Sequence, residues 1–99
     1  MRLTKPKTIY LGIKHTFVIA WGVSMADAAT IAKLKEKAKQ LRIDSVRLVY
    51  QAGSGHPGGS LSAADIVAAL FYHAMRYDAK KPDWPERDRF ILSKWHATP

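Results

Sequence analysis

Residues 53–60 read Gly-Ser-Gly-His-Pro-Gly-Gly-Ser and separate two segments that have helical patterns. Four glycines and a proline within residues 53–59 interrupt a helix, and glycine adopts backbone angles that other residues avoid. We therefore predict a loop whose backbone can approach a ligand. The spacing differs from that of a Walker loop, since no Gly-Lys-Ser/Thr follows, and from the G-x-G-x-x-G of dinucleotide-binding folds.

The segment before the loop is predicted to be one long helix from residue 26 to residue 52. Its apolar residues recur at steps of three and four, which is the spacing of a helix with one buried face. Asp27 suits the first turn, where a carboxylate meets the positive end of the helix dipole, and Gly53 suits the end. The apolar positions are Ile31, Leu34, Ala38, Leu41, Leu48 and Ala52.

A second helix is predicted after the loop, ending near residues 75–77. Ser62, with Asp65 three positions later, approximates a capping box at its start. After a polar connector with two prolines, the apolar run 90–92 predicts a short buried strand.

One strand cannot form a sheet, because its backbone groups need neighbours. The order helix, glycine-rich loop, helix and strand therefore predicts a mostly helical α/β fragment. It would be the opening of an α/β fold whose other strands lie beyond residue 99.

Positive charge is concentrated at the start of the chain. The net charge is +8, and residues 1–24 hold four basic residues and no acidic one. This leader weakly resembles a secretory signal, but we favour the interpretation that Met25 is the authentic start and residues 1–24 are an upstream extension. The absence of cysteine excludes disulfides and thiolate metal sites.

A basic chain of this size also suggests nucleic-acid binding, since Lys and Arg attract phosphates. The lysines at positions 33, 35, 37 and 39 step by two, which scatters them around a helix instead of aligning them. This spacing favours a solvated helix surface over a nucleic-acid site.

Two of the four histidines have a context that suggests function. His56 lies inside the glycine-rich loop, where an imidazole can donate hydrogen bonds or transfer protons at neutral pH. His96 follows the predicted strand at its carboxyl end, where open α/β sheets bind ligands. A solvated histidine without a role is the alternative for each. His15 belongs to the leader, and His73 is predicted to lie on a helix surface.

Long stretches of the chain closely resemble the start of transketolases. They are Arg-Ile-Asp-Ser-Val at 42–46, Ser-Gly-His-Pro-Gly-Gly-Ser-Leu-Ser-Ala-Ala-Asp-Ile at 54–66, Pro-Asp-Trp-Pro-Glu-Arg-Asp-Arg-Phe-Ile-Leu-Ser-Lys at 82–94, and His96-Ala97. The resemblance runs from Met25 to Pro99 and is greatest to the N-terminal subunit of two-chain transketolases. Residues 25–99 are thus expected to be the N-terminal piece of a thiamine diphosphate-binding domain.

The resemblance implies transfer of a two-carbon ketol unit between sugar phosphates, with thiamine diphosphate and Mg²⁺ as cofactors. It implies that His56 is catalytic and binds substrate, and that His96 contacts the cofactor near its diphosphate. It assigns no metal ligand to these residues. A C-terminal subunit or a dimer mate is the implied partner, and the cytoplasm is the expected location.

Two departures from the family pattern affect the expected activity. The family has glycine where this chain has Trp95, and a positive φ there would cost tryptophan about 1–2 kcal/mol. The family's Gly-Asp-Gly…Asn motif for metal and diphosphate does not occur in these residues. We therefore expect the 99-residue chain to be inactive alone. The alternatives are a small basic helical module that binds nucleic acid or an acidic partner, and a degenerate fragment without function.

Overall fold

The computed structural model describes residues 8–11 and 26–97. Within them lie two long helices, α1 (Ala28–Ala52) and α2 (Gly58–Ala69), and two short strands, β1 (Thr8–Leu11) and β2 (Arg89–Leu92). Helix α2 continues as a π-helical turn, Leu70–Ala74, and β2 is followed by a 3-10 turn, Trp95–Ala97. This mostly helical architecture confirms the predicted fold class. His15 and most of the leader lie outside the described residues.

Both ends of α1 have the predicted signals. The Asp27 carboxylate accepts a 2.7 Å hydrogen bond from the Thr30 backbone N–H and caps the first turn. At the other end Gly53 adopts φ 67°, and its N–H donates to the Tyr50 carbonyl at 3.2 Å. A left-handed glycine is a common helix terminator because it carries no Cβ.

Helix α2 begins four residues earlier than the expected capping box. Its N-cap is Pro57, without a side-chain hydrogen bond, so the prediction of a Ser62–Asp65 box was wrong. The Ser62 hydroxyl donates instead to the Gly59 carbonyl, and Asp65 pairs with Arg42 of α1. Pro57 has φ −76°, which is already helical, and Gly59 belongs in the first turn because a side chain there would meet Ala97.

The two helices pack against each other through small residues. Ala38 of α1 and Ala64 and Ala68 of α2 are buried, and these short side chains allow the helices to approach closely. Several large apolar side chains remain exposed, so the core of the described residues is modest, as expected for this length. None of the described helices is both long and apolar enough to span a membrane.

The sheet contains a strand that the sequence did not predict. Strands β1 and β2 are parallel, with Thr8 opposite Arg89 and Leu11 opposite Leu92. Strand β2 lies where it was predicted, but the prediction that it is buried was wrong. Within the described residues Ile91 is 42% exposed and Phe90 is half-buried.

A buried carboxylate connects the end of the second helix to β2. The Arg76 backbone N–H donates to Asp88 Oδ2 at 2.8 Å, and the Asp88 N–H donates to the Arg76 carbonyl at 2.8 Å. The Arg76 guanidinium lies 3.5 Å from Asp88 Oδ1. Asp88 is 3% exposed, so this reciprocal contact fixes the start of β2.

Candidate functional site

The first turn of α2 lies against the 3-10 turn that follows β2. A Cβ placed on Gly59 would be 3.0 Å from both the Cα and the Cβ of Ala97. The next residue, Ser60, is buried, and its hydroxyl donates a hydrogen bond to the Ala97 carbonyl. We call this pair of contacts the α2–turn junction; it consists of Gly59, Ser60 and Ala97. The two segments can lie this close because Gly59 has no side chain.

His56 lies in the loop that leads into this junction. It is exposed, three residues before Gly59 and next to Gly55. Gly55 has φ 123°, and a Cβ there would be 3.5 Å from the Val49 side chain at the end of α1. Other residues rarely adopt this backbone angle, so Gly55 is what allows the chain to turn at this point.

His96 lies in the 3-10 turn on the other side of the junction. It is exposed and directly precedes Ala97, whose backbone N–H donates to the Lys94 carbonyl at 2.9 Å. The turn therefore holds His96 immediately beside the residue that touches Gly59.

The two predicted site histidines are thus on segments that the fold brings together. Forty positions separate them in the sequence, from 56 to 96, yet a Cβ added to Gly59 would lie 3.0 Å from Ala97, the residue next to His96. The other two histidines differ. His73 is exposed in the π-helical turn, as predicted for a surface residue, and His15 is not among the described residues.

The start of α2 adds hydrogen-bond donors at the junction. The first N–H groups of a helix have no intrahelical acceptors and lie at the positive end of its dipole. Anions such as phosphate favour this position. The electrostatics of the junction therefore suit a negatively charged ligand.

An apolar cavity of about 340 Å³ begins at the junction. Ser60 and Ala97 are among its lining residues, and the others come mostly from α1, α2 and β2. The remaining lining residues are Leu41, Ser45, Leu48, Ala63, Ala64, Val67, Phe90 and Leu92.

Trp95 causes no left-handed backbone strain. The turn Trp95–Ala97 is a 3-10 helix, and within the described residues no residue other than glycine has a positive φ. The strain considered for Trp95 from the family pattern therefore does not arise in this fold.

Metal binding finds no support in the part of the chain that the structure describes. There, no three side chains of His, Cys, Asp or Glu are grouped closely enough to hold an ion. Asp65, the acidic residue nearest the junction along α2, is instead paired with Arg42.

Sequence reasoning missed the junction itself, although it singled out both histidines. Ser60 stands within the glycine-rich motif and Ala97 beside His96, but neither residue type indicates a contact between the two segments. The available signal was the run of small residues Gly-Gly-Ser at 58–60, since a helix start without bulky side chains allows another backbone to approach.

Comparisons with known proteins agree with the resemblance. Residues 33–99 match the family described as "Transketolase, thiamine diphosphate binding domain". The chain is 49% identical over 78 residues to a transketolase of Mus musculus and 49% identical over 73 residues to a transketolase-like protein 2 of Bos taurus. These alignments cover 79% and 74% of the chain, but only 12% of each relative.

The chain thus spans about an eighth of the length of the curated relatives it matches. The matched residues include the glycine-rich loop, α2, β2 and the turn that carries His96. The family match and the identities together show that this chain belongs to the transketolase family, within the thiamine diphosphate-binding domain.

Proposed function

We propose that this chain supplies the opening part of the active site of a transketolase-type enzyme, which transfers a two-carbon ketol unit between sugar phosphates. The α2–turn junction is the observation that supports this proposal. It places the His56 loop and the His96 turn at one end of α2, beside N–H groups that favour anions. Sugar phosphates and a diphosphate cofactor are anions of the matching chemistry.

In this proposal His56 contacts the sugar substrate and handles its proton. Its imidazole is exposed on a glycine-rich loop, and histidine is the side chain that most often serves as a general acid or base in enzymes. The glycines on both sides leave room for the substrate to approach the backbone. A residue in this role contributes a factor of about 10²–10⁴ to the rate.

His96 is the residue we propose to contact thiamine diphosphate near its diphosphate. When bound, this cofactor supplies the stabilised carbanion that such a reaction needs. An imidazole N–H beside the start of α2 would add one donor to the helix N–H groups. The residues at the junction therefore fit the anionic part of the cofactor.

The described residues do not fit a Mg²⁺ site, because no group of three acidic or histidine side chains converges in them. We derive no step through a metal. The described residues therefore provide only some of the contacts of such a site, and we expect the 99-residue chain alone to show no ketol transfer.

Nucleic-acid binding is not favoured as a second function. Among the four lysines that step by two, Lys37 lies over the Tyr72 ring at 5.0 Å and makes a cation–π contact within the chain. This ammonium group therefore contacts the π-helical turn that continues α2.

The test is a chimera in which residues 33–99 replace the matching segment of the mouse transketolase. Ketol transfer from xylulose 5-phosphate to ribose 5-phosphate is measured by a coupled assay with thiamine diphosphate and magnesium. We expect turnover, and we expect His56→Ala to reduce kcat by about 10²-fold or more. His73→Ala is the matched control, because His73 is an exposed histidine away from the junction.

Equal activity of the two variants would contradict the proposed role of His56. The isolated chain is assayed in parallel, and turnover well above that of its His56→Ala variant would contradict the expected inactivity.

A further inference from the structure

Strand β1 lies outside the part of the chain that matches the family. The match covers residues 33–99, whereas β1 is Thr8–Leu11. Even so, β1 pairs with β2 along its whole length, from Thr8 opposite Arg89 to Leu11 opposite Leu92. The family-matched region therefore contributes β2, and the leader contributes its neighbour.

Strand β2 needs such a neighbour for a physical reason. A backbone N–H or C=O group that is removed from water without a new hydrogen bond destabilises the fold. A strand without a neighbouring strand cannot form these hydrogen bonds. Within residues 8–11 and 26–97, β1 is the strand that pairs with β2.

The position of β2 in turn sets the position of the candidate site. Only Ser93 and Lys94 separate β2 from the turn Trp95–Ala97. Ala97 then contacts Gly59 and accepts the Ser60 hydrogen bond. A strand that fixes β2 therefore also fixes the turn Trp95–Ala97, which contains His96, in its place against the start of α2.

We propose that β1, as the parallel neighbour of β2, braces β2 and the α2–turn junction. The leader is then a positioning element for the site in this chain. The proposal concerns the fold of the chain and is independent of whether the chain takes part in ketol transfer.

The first test uses the absence of native cysteine, which makes an introduced pair unambiguous. Thr8→Cys with Arg89→Cys places two thiols on directly opposed residues, within the Cα separation that a disulfide tolerates. Thr8→Cys with Ile91→Cys is the matched control. Ile91 lies two residues further along β2 than Arg89, so its Cα is displaced by roughly 6–7 Å along the strand from the position opposite Thr8. We expect a disulfide under mild oxidation in the first pair only. Formation in neither pair, or equally in both, would overturn the proposed pairing.

The second test measures amide hydrogen exchange in the full chain by NMR. Ile9→Pro with Tyr10→Pro removes two consecutive N–H groups of β1, so at least one that faces β2 is lost. Arg2→Pro with Thr4→Pro is the control, since these positions lie outside the strand. We expect protection of the β2 amides and of the Ala97 amide to fall at least about tenfold, while α1 amides change little.

Unchanged protection of β2 and Ala97 in the strand variant would overturn the proposal. Equal loss of protection in α1 would overturn it as well, because the strand would then support the whole fold and not the β2 end of it.

Discussion

Gly59 and Ala97 lie so close that a methyl group on Gly59 would approach the Cα and Cβ of Ala97 to 3.0 Å. The residue after Gly59 reinforces the contact, because the buried Ser60 hydroxyl donates to the Ala97 carbonyl. Together these contacts connect the helix that follows His56 to the turn that contains His96.

Gly59→Ala is expected to destabilise the chain by about 1–3 kcal/mol, because the obstructing atoms include the Ala97 backbone and cannot simply rotate away. Gly58→Ala is the matched control. It is in the same first turn, has nothing within 4 Å of an added Cβ and has no positive φ. It should be neutral or stabilising by up to about 1 kcal/mol. Urea denaturation measures both, and equal stability of the two variants would contradict the tight contact.

Ser60→Ala is expected to lower the free energy of unfolding by about 1–3 kcal/mol, since it leaves the Ala97 carbonyl without its hydroxyl donor in a buried place. Ser62→Ala, in the next turn, removes an exposed hydroxyl that bonds only within its own helix. That control should change stability by less than about 0.5 kcal/mol. An equal loss of unfolding free energy in the Ser62 and Ser60 variants would show that the hydrogen bond at the junction does not contribute more to stability than one within the helix.

Asp88→Ala is expected to destabilise the chain by about 1–3 kcal/mol, because it removes the buried carboxylate that accepts from the Arg76 backbone N–H and lies beside the half-buried Arg76 guanidinium. Asp83→Ala is the control, since Asp83 is an exposed carboxylate in the same connector. It should alter stability by less than about 0.5 kcal/mol. Thermal unfolding followed by circular dichroism distinguishes these outcomes. A small effect at Asp88 would mean that the start of β2 is fixed in another way.

Asp27 should make the stability of α1 depend on acid pH. The hydrogen bond from the Thr30 backbone N–H, and secondarily one with its side chain, lowers the pKa of Asp27 below its ordinary value. The folded state therefore favours the carboxylate. Its contribution is complete above the unfolded pKa and is lost as the pH falls through the lowered folded pKa, which lies below about pH 4.

Asp27→Asn keeps a capping oxygen but removes this titration, so its unfolding midpoint should depend less on pH below about pH 4. Asp27→Ala should in addition lower the midpoint at neutral pH. Parallel curves for the original chain and Asp27→Asn between pH 2 and pH 5 would contradict the assignment.

The sequence predicted those parts of the fold that local patterns determine. The boundaries of α1 follow from the apolar spacing and from the capping preferences of Asp27 and Gly53, and all of these act within a few residues. The capping-box prediction failed at Ser62 because the start of α2 is decided by tertiary packing. Gly58 and Gly59 are poor helix formers, yet a side chain at Gly59 would collide with Ala97.

Strand β1 could not be predicted for a similar reason. Its residues Thr8, Ile9 and Tyr10 are of types favoured in strands, but its pairing partner lies some eighty positions away, and no local pattern identifies that partner. The site was partly predictable, since the motifs identified His56 and His96. The contact that joins their segments is made by Gly59, Ser60 and Ala97, whose side chains carry no recognisable catalytic chemistry.

The parallel pairing of β1 with β2 also sets the order in which this chain can fold. Helices α1 and α2 are close in sequence and can associate early, because little loop-closure entropy is lost. Strand β1 pairs with residues 89–92, some eighty positions later in the sequence, so forming the sheet closes a much longer loop than forming the helix pair. We therefore expect the two strands to pair after α1 and α2 have associated.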